Sequence, residues 1–556
     1  MTLDLETTER MKHRVLKVHP ADNVIVALTD LAEGEIVSFE GQDYTMQEVI
    51  PAKHKFFQTP MKAGDEVIMY GVLVGTAQSD IPVGGRMSTE NVHHAAQPYA
   101  YRNAQPTWTP PDVSKYAGRT FNGYHRSDGR VGTANYWLFI PTVFCENRNL
   151  DVIREAMHNE LGYAVTGKYK DYTRRLLEAM QQGETLSSVD LSPSGTPHRD
   201  RPFRNVDGIK FLNHQGGCGG TRQDSAVLAK LLVAYADHPN VGGVTVLSLG
   251  CQHLQVEDFK ADLLKHNPGF DKPLIILEQQ KSQSEEQLVA EAIRKTFEGL
   301  SEINKMERRP ATLDKLCIGV KCGGSDGFSG ISANPAVGYT SDLVVALGGK
   351  ILLAEFPELC GVEQELVDRS VSKDTAEKFI GLMQAYSSEA ERVGSGFHMN
   401  PSPGNIRDGL ITDAIKSAGA AKKAGTSPVV DVLDYTEPAV KPGLSLVCTP
   451  GNDVEATTGK AASGATLILF TTGLGTPTGN PVCPTIKVST NSKLTKRMAD
   501  IIDIDCGPVI EGEKTIEEMG EDILEYCIKA ASGEVIPKAV LLNQDDFIPW
   551  KRGVSL

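Results

Sequence analysis

The sequence lacks a long hydrophobic run. The best apolar stretch of its second half, LVVALGGKILLAEF, is interrupted by Gly348, Gly349 and Lys350. No window approaches the roughly 18 consecutive apolar residues that a membrane span requires. The first twenty residues, MTLDLETTERMKHRVLKVHP, carry acids throughout and contain no apolar core of signal-peptide length. These absences exclude a membrane-spanning protein and predict a soluble, cytoplasmic one.

Positive charge is also in short supply. Lys and Arg number 56 against 71 Asp and Glu, so the formal net charge is −15. A general nucleic-acid or anionic-membrane binder needs a basic surface, because phosphate groups dominate its binding energy. We therefore expect neither kind of partner. A local basic pocket for a small anion remains compatible with this balance.

What the chain does have is length, glycine and cysteine. Its 556 residues predict three or four domains, and 40% hydrophobic and 23% charged residues are typical of globular proteins. The 53 glycines are clustered, and there are 10 cysteines. In a reducing compartment these cysteines are not expected to form disulfides, so some are buried small residues and others are ligands or reactive groups.

Composition shifts divide the chain into four segments. Short β-branched runs separated by turn signals mark a small β-rich domain, and a stretch rich in Pro, Gln and Ala follows it. Later, the charged segment LSEINKMERRPATLDK separates two regions in which strand-like and helix-like runs alternate. We place the β-rich domain at 1–96, a Pro-rich linker at 97–120, and two α/β domains at 121–305 and 306–556.

Alternation of strands and helices predicts an α/β fold with doubly wound, mainly parallel sheets. Polar residues 164–205 have no clear period and are interpreted as an excursion with one helix at KDYTRRLLEAMQQ. The strand-like runs are NYWLFIPTVF, GIKFLNH, VTVLSL and LIILE in the first α/β region, and LCIGVK, KILLAEF, LSLVCTPG, TLILFTTG and PTIKVSTN in the second.

Three cysteines follow predicted strands directly. Cys218 lies in HQGGCGGT, Cys251 in LSLGCQH and Cys322 in GVKCGGSDG. Ligands of open α/β sheets bind beyond the carboxyl ends of the strands, so three thiols at three such ends predict one shared site. For a single cysteine, a buried structural role is the commoner alternative. The spacing is not a C-x-x-C pattern, so it names no metal.

Four polar loops at predicted strand ends offer ligand contacts, since rigid scaffolds build their sites on such loops. The loop CGGSDGFSG and the segment after it suit the hydroxyls and carboxylate of a polyol acid, or a phosphate, but no Gly-Lys-Ser/Thr makes a P-loop. Structural turns with helix caps are the alternative. The candidate residues are Ser325, Asp326, Asn334, Asn405, Asn452 and Lys487.

Three histidines are candidate acid–base groups. His93 stands beside His94 at the end of the β-rich region, His214 precedes Cys218 by four residues, and His253 follows Cys251 by two. Histidine titrates near neutral pH, which suits proton transfer or metal ligation. A surface histidine beside a linker is an equally good interpretation of His93.

The same loops resemble those of the altronate and galactarate dehydratases. The resemblance rests on HPADNVIVALTDLAEGE, GVLVGTAQSDIPVGG, YHRSDGRVGTANYW, LSLGC, CGGSDGFSGISANPAVGYTSD, NPSPGN and GTPTG with PTIKVSTN, and it covers nearly the whole chain. Two positions depart from the family pattern. NVHHAA keeps only His93 of a histidine cluster, and Gln252 replaces the usual Glu after Cys251.

The resemblance implies a small SAF-type domain followed by two α/β domains, and loss of water from a sugar acid. D-altronate, which would give 2-keto-3-deoxygluconate, is favoured by the PGND and CGVEQ segments. An iron or manganese requirement is typical of the family. We expect Cys218, Cys251 and Cys322 to hold iron, as Fe²⁺ or an iron–sulfur cluster, because soft thiolates favour such centres. A mononuclear Fe(II) or Mn²⁺ site with oxygen and histidine ligands is the rival.

Other functions remain as alternatives at this point. They are galactarate dehydration, another lyase reaction on the same scaffold such as sulfolactate cleavage, and a non-catalytic carbohydrate-binding role. A small sugar acid is the expected partner in each catalytic case. The sequence leaves open whether the protein forms a homo-oligomer.

Overall fold

Short antiparallel strands open the chain, and alternating strands and helices follow from residue 120 onward. The computed structural model describes residues 13–103, 106–165, 167–191 and 201–555. Within those ranges no helix combines the length and the apolarity needed to cross a bilayer.

The N-terminal region consists of three small antiparallel sheets, with strand orders β1-β2-β5, β3-β4 and β6-β7-β8. The run EVIMYGVLVGTA, one apolar stretch in the sequence, forms the hairpin β6–β7. At the β3–β4 turn Glu40 and Gly41 both have positive φ, which is the two-residue turn that matches strand twist. The strands are β1 Val15–Leu16, β2 Val24–Ala27, β3 Ile36–Phe39, β4 Gln42–Thr45, β5 Lys55–Phe57, β6 Glu66–Met69, β7 Val72–Ala77 and β8 Val92–His93.

In the Pro-rich linker the described residues 94–103 and 106–113 form no helix or strand, and a short 3₁₀ turn follows at Ser114–Tyr116. Gln364 holds the linker by exchanging two hydrogen bonds with the backbone of Ala100, at 2.9 and 3.0 Å. The Trp108 indole also donates to the Thr426 hydroxyl at 3.2 Å.

A four-stranded parallel sheet of order β12-β11-β13-β14 forms the centre of the first α/β region. All six residues of β11 are buried, as its continuous apolar run predicts. Gly243 and Gly299 leave room for the Trp137 ring, which a Cβ at either position would strike. The elements are β9 Thr120–His125, β10 Val131–Gly132, β11 Tyr136–Pro141, α1 Asn147–Glu160, α2 Gly167–Gln182, β12 Gly208–Phe211, α3 Arg222–Ala236, β13 Val241–Ser248, α4 Val256–His266, β14 Leu274–Glu278 and α5 Glu285–Ile303.

The second α/β region is built on a seven-stranded parallel sheet of order β18-β19-β17-β16-β20-β21-β22. The elements are β15 Arg309–Thr312, β16 Cys317–Cys322, α6 Ala333–Ala346, β17 Lys350–Leu353, α7 Glu363–Asp368, α8 Lys373–Arg392, α9 Pro403–Arg407, α10 Asp413–Ala421, β18 Val429–Leu433, β19 Gly443–Val447, α11 Asp453–Ala462, β20 Leu467–Thr472, β21 Thr485–Ser489, α12 Ser492–Arg497, β22 Ile504–Asp505, α13 Gly507–Ile510, α14 Ile516–Ala531 and α15 Lys538–Leu541. Strand β16 lies between β17 and β20, so the winding reverses there and opens a crevice at the carboxyl ends.

The chain divides into two compact units. The large unit consists of Met1–Gly123 and Pro310–Ala539, and the small unit of Tyr124–Arg309 and Val540–Leu556. The β-rich region and the seven-stranded sheet therefore share the large unit. The predicted fold class, a small β-rich domain followed by α/β regions with parallel sheets, is confirmed. The helix predicted at KDYTRRLLEAMQQ lies within α2.

Candidate functional site

Charged side chains are buried together at the carboxyl ends of β16 and β17 in the large unit. Lys321 and Cys322 end β16, and Glu355 follows β17 by two residues. Burial of so many charges is costly unless each is paired, so such a cluster marks a site. We call this set the lysine cluster: Lys321, Cys322, Glu355, Glu358, Lys416, Lys423 and Lys460.

Glu355 is the centre of the lysine cluster. Its Oε1 pairs with the Lys321 ammonium, and its Oε2 lies 3.5 Å from the Lys423 nitrogen and 3.6 Å from that of Lys460. Lys321 also reaches Asp453 Oδ1 at 2.8 Å. Three ammonium groups thus converge on one carboxylate.

Cys322 and Glu358 form the second half of the cluster. Lys423 donates to the Cys322 sulfur at 2.7 Å, and the thiol lies 3.5 Å from Glu358 Oε2. Lys416 contacts Glu358 Oε1 at 3.0 Å and also donates to the Asn400 side chain. The thiol is therefore embedded among charges.

Glu355 has a left-handed backbone, with φ 72° and ψ 58°. For a residue other than glycine this costs on the order of 1–3 kcal/mol and persists only where the surroundings enforce it. Here the Thr449 hydroxyl accepts the Glu355 N–H at 3.0 Å, and the Thr449 carbonyl accepts that of Phe356 at 3.2 Å. Strain of this kind is typical of functional sites.

Two atoms of the lysine cluster lack hydrogen bonds. Glu355 Oε2 and Lys460 Nζ have no hydrogen-bond partner among the described residues, although they face each other. Their 3.6 Å separation is too long for a hydrogen bond. Ser417, next to Lys416 on α10, likewise has an unsatisfied buried hydroxyl. Unsatisfied buried polar atoms are rare in native proteins, so these atoms are candidates for contact with a polar ligand.

The lysines differ in how firmly they hold their protons. Burial lowers the pKa of Lys423 and Lys416, but nearby acids more than offset this and raise both above the ordinary value. Burial lowers the pKa of Lys460 to about 8, since only Glu355 and Cys322 act against it. Burial raises the pKa of Glu358, but Lys416, Lys321 and Lys423 outweigh it and lower that pKa to about 2. Lys460 is thus the cluster's most readily neutralised lysine.

The predicted polar loop after β16 is held from within. Asp326 is buried and accepts from Ser329 at 3.0 Å and Thr490 at 3.1 Å, and it pairs with Lys53 of the β-rich region at 3.1 Å. The Asn405 amide donates to the Ser325 carbonyl at 2.8 Å, while the Ser325 hydroxyl is buried without a hydrogen-bond partner among the described residues. Among the loop atoms just described, the Ser325 hydroxyl is therefore the one available to hydrogen-bond with a ligand.

The remaining loop candidates have structural partners. Asn334 receives the Thr471 hydroxyl at 2.6 Å and donates to the Gly419 carbonyl at 3.0 Å. Asn452 is the N-cap of α11, where its side chain accepts from Val454 and Glu455. Lys487 is buried, donates to the Thr478 carbonyl and lies 3.7 Å from the centre of the Phe470 ring. These contacts position all three side chains, and their role in binding a substrate stays a prediction.

The two adjacent histidines differ in exposure and in their contacts. His93 is exposed at the end of β8, whereas His94 accepts the Ala414 N–H at 3.3 Å and lies 3.9 Å from the Cys360 sulfur. Both line a cavity of about 1020 Å³ in the large unit. Burial raises the pKa of Glu363, which lines the same cavity, to about 7.

The predicted thiol set falls in both units. Cys322 is buried in the lysine cluster of the large unit, while Cys218 and Cys251 are exposed in the small unit. A cavity of about 350 Å³ in the small unit is lined by Cys218, His214 and His253. Whether the three thiols share one metal remains a prediction.

His214 and His253 are in different environments. His214 is buried, with one ring nitrogen 2.8 Å from the Pro141 carbonyl and the other accepting the Gly216 N–H at 3.1 Å. Burial lowers its pKa to about 4, so it is neutral at physiological pH. His253 is exposed, and its backbone N–H donates to the Gly217 carbonyl at 3.4 Å. His253 is therefore the one of the two with an accessible ring.

Sequence reasoning missed most of the lysine cluster. A usable signal was present: Lys321 and Glu355 lie within the otherwise apolar runs LCIGVK and KILLAEF, where a charge must be paired. Cys145 was also missed, although it follows the strand NYWLFIPTVF as closely as the other cysteines follow theirs. Lys416, Lys423 and Lys460 had no local signal, because only the tertiary fold brings them together.

Sequence models of three domains of one family match the chain in order. The SAF domain of altronate/galactarate dehydratase matches residues 13–95, the second domain of D-galactarate dehydratase/altronate hydrolase matches 123–304, and the C-terminal domain of D-galactarate/altronate dehydratase matches 313–555. The small antiparallel sheets at the N-terminus are therefore those of a SAF domain.

Characterised relatives align along nearly their whole length. The chain is 34% identical to an altronate dehydratase of Escherichia coli and 33% identical to one of Bacillus subtilis, each over 97% of this chain and 99% of the relative. It is 31% identical to a galactarate dehydratase of Escherichia coli over 93% of both chains. The chain belongs to the altronate/galactarate dehydratase family.

Proposed function

We propose that the protein is a hydro-lyase that removes water from a sugar acid, and that D-altronate, giving 2-keto-3-deoxygluconate, is its substrate. The names of its relatives support the dehydration of a sugar acid. The preference for altronate rests on the PGND and CGVEQ segments and on slightly higher identity to the two altronate enzymes. Galactarate is the second candidate.

The observation that carries this proposal is the lysine cluster. Four buried lysines meet two buried carboxylates and a thiol at the carboxyl ends of parallel strands, where open α/β sheets bind ligands. The acidic chain thus holds local positive potential in the one kind of place where a small anion is expected.

Dehydration needs such potential. Removing the proton α to a carboxylate creates a dianionic enediolate, and preorganised cations stabilise that charge as it develops. Lys321 and Lys416 are suited to neutralise the enediolate charge. Lys321 contacts Asp453 and Lys416 contacts Asn400, and both of these partners are partly exposed, so the two lysines lie next to solvent-accessible residues. Loss of the β-hydroxyl then gives an enol, which becomes the 2-keto acid.

Lys460 is the base that we assign to this step. A general base works best with a pKa near the working pH, and burial lowers that of Lys460 to about 8. Its nitrogen also has no hydrogen-bond partner among the described residues, so a neutral amine is available to take a proton. Activity should therefore rise with pH up to about 8, and Lys460→Arg should abolish that rise, because arginine stays protonated.

The family resemblance implies iron or manganese, so the cluster's fit to a metal matters. One ligand atom from each of Cys322, Glu355 and Glu358 lies within 4.8 Å of the others. Lysine ammonium groups already occupy all three residues, and their charge opposes a divalent cation. The cluster therefore does not fit a metal, and we assign no step there to one.

A substrate panel tests the function. Purified protein is incubated anaerobically with D-altronate, galactarate and sulfolactate, with ferrous iron or manganese present, and 2-keto acid is measured by carbonyl trapping. We expect product from D-altronate at the highest kcat/KM. Higher turnover of another substrate would reassign the specificity, and binding without product from any of them would favour a carbohydrate-binding protein.

Three variants test the site. We expect Lys416→Met to lower kcat by roughly 100- to 1000-fold, the scale seen when one charge-stabilising donor is removed. Lys441→Met, which removes an exposed lysine paired with Asp431 at 3.3 Å, should leave kcat unchanged. Lys416→Arg keeps the charge and should retain more activity than the Met variant. Equal activities for all three would contradict the placement of the site.

A further inference from the structure

We propose that Cys145, Cys218 and Cys251 of the small unit hold an iron–sulfur cluster, with Cys145 as the third thiolate. This metal site goes beyond the proposed function and does not depend on it.

Exposure singles out these three cysteines. All ten cysteines of the chain lie in described segments, and three of them, Cys145, Cys218 and Cys251, are exposed. The other seven are buried or half-buried. Exposed free thiols are reactive and are usually avoided on protein surfaces. Three exposed thiols in a single unit therefore suggest a chemical role for these cysteines.

All three follow neighbouring strands of one parallel sheet. Cys145 comes four residues after β11 ends, Cys218 follows β12, and Cys251 follows β13. Strand β11 pairs in parallel with β12 on one side and β13 on the other. The carboxyl ends of the three strands therefore meet at the same edge, and the three turns leave that edge side by side.

Backbone hydrogen bonds join these turns directly. The N–H of Phe144 donates to the Gly216 carbonyl at 3.0 Å, and the N–H of His253 donates to the Gly217 carbonyl at 3.4 Å. Gly217 has φ +99°, and a Cβ there would lie 2.4 Å from the Thr142 carbonyl oxygen. The turn that carries Cys218 is thus fixed against the turns that carry the other two cysteines.

The thiols are also close enough to act on one another electrostatically. Both Cys218 and Cys251 act electrostatically on the Cys145 thiol. Three mutually repelling thiolates are stabilised when each sulfur binds a shared cation. Metal binding would release one proton from each thiol.

The chemistry of the set favours an iron–sulfur cluster. Thiolates select iron–sulfur centres and zinc over magnesium or manganese, and three protein thiolates leave one iron of a cubane cluster open to an external ligand. The cavity lined by Cys218 and His253 offers that ligand a place.

Iron and sulfide analysis tests the ligand set without substrate. The protein is reconstituted anaerobically with ferrous iron, ferric iron and sulfide, which together supply the mixed valence of the cluster, and is then desalted. We expect wild type to retain iron and sulfide in roughly equal amounts with a broad visible absorption band. Cys145→Ser, Cys218→Ser and Cys251→Ser should each retain at least about tenfold less, since even indirect ligand defects cost that much in affinity.

Cys322→Ser and Cys360→Ser are the controls, and both should retain the wild-type content. Far-UV circular dichroism of each variant checks its fold. The proposal is overturned if wild type retains no iron and sulfide or holds zinc alone, if Cys145→Ser keeps the cluster, or if Cys322→Ser loses it. A disulfide would instead appear as two missing thiols when the denatured, unreduced protein is titrated, and would also overturn it.

The two proposals fail in distinguishable ways. Turnover of a sugar acid by protein that binds no cluster would overturn the metal site and leave the proposed function standing. A cluster bound through these three cysteines, with no turnover of any sugar acid, would do the reverse.

Discussion

The two parallel sheets of this protein end in chemically opposite ways. At the carboxyl edge of the seven-stranded sheet, lysines and glutamates are buried and paired. At the carboxyl edge of the four-stranded sheet, three cysteines are exposed. The same topology supplies a site edge in both units, and side-chain chemistry decides its use. Buried charges suit a small anion, whereas soft thiolates suit iron.

The largest loss of stability should come from removing a buried charge of the lysine cluster. Lys321→Met leaves Glu355 buried with less compensation, so we expect the free energy of unfolding to fall by about 3–5 kcal/mol. Urea denaturation measures it. Lys441→Met, in an exposed pair, should cost at most about 1 kcal/mol. A loss at Lys321 no larger than at Lys441 would mean that the buried pair does not stabilise the large unit.

Two buried groups, Glu363 of the large unit and His214 of the small unit, should change stability with pH in opposite directions. In the large unit, burial raises the pKa of Glu363 to about 7, so the folded protein keeps a proton that the unfolded chain loses near its ordinary pKa of 4.5. Stability should therefore fall as pH rises from about 4.5 to about 7. Glu363→Gln should be about 1–3 kcal/mol more stable than wild type at pH 8, and equal to it at pH 4.5.

Urea midpoints across this pH range test that prediction. Glu365→Gln is the control, because Glu365 is exposed and pairs with Arg369 at 3.3 Å. It should change the unfolding free energy by no more than about 0.5 kcal/mol at either pH. If the stability gained by Glu363→Gln does not increase with pH, Glu363 is not a neutral buried carboxyl in the folded protein.

In the small unit the sign is reversed. Burial lowers the pKa of His214 to about 4, so the unfolded chain gains a proton below the ordinary value of 6.5 while the folded protein does not. This stability is present above pH 6.5 and is lost as pH falls to about 4. We expect nuclear magnetic resonance of histidine-labelled protein to show His214 neutral at pH 5.5. Protonation at that pH with the fold intact would contradict its buried environment.

The smallest expected change in stability comes from Asn452, and it distinguishes a helix-capping role from a substrate contact. Asn452 caps α11 through its side-chain oxygen, so Asn452→Ala should cost about 1 kcal/mol and Asn452→Asp almost nothing. Thermal denaturation measures both. If Asn452 instead binds substrate, the Asp variant should raise KM through repulsion of the carboxylate while stability stays unchanged.

Periodicity was enough to predict the sheets but not the buried charges. Continuous apolar runs such as that of β11 are typical of strands buried on both faces, so the sequence predicted the α/β class. Lysines on α10 and α11 meet Glu355 only because the crossover topology carries those helices to one sheet edge. The structure gives Asn334 and Lys487 hydrogen-bond partners within the protein, and their contact with a substrate stays a prediction.

The central claim, dehydration through an enol, is tested most directly by running the reaction in deuterium oxide. D-altronate should yield 2-keto-3-deoxygluconate carrying one solvent deuterium at C3, because the enol takes a new proton there when it becomes the ketone. Mass and nuclear magnetic resonance spectra of the product report it. Product without deuterium at C3, or no product from any sugar acid of the panel, would contradict the account.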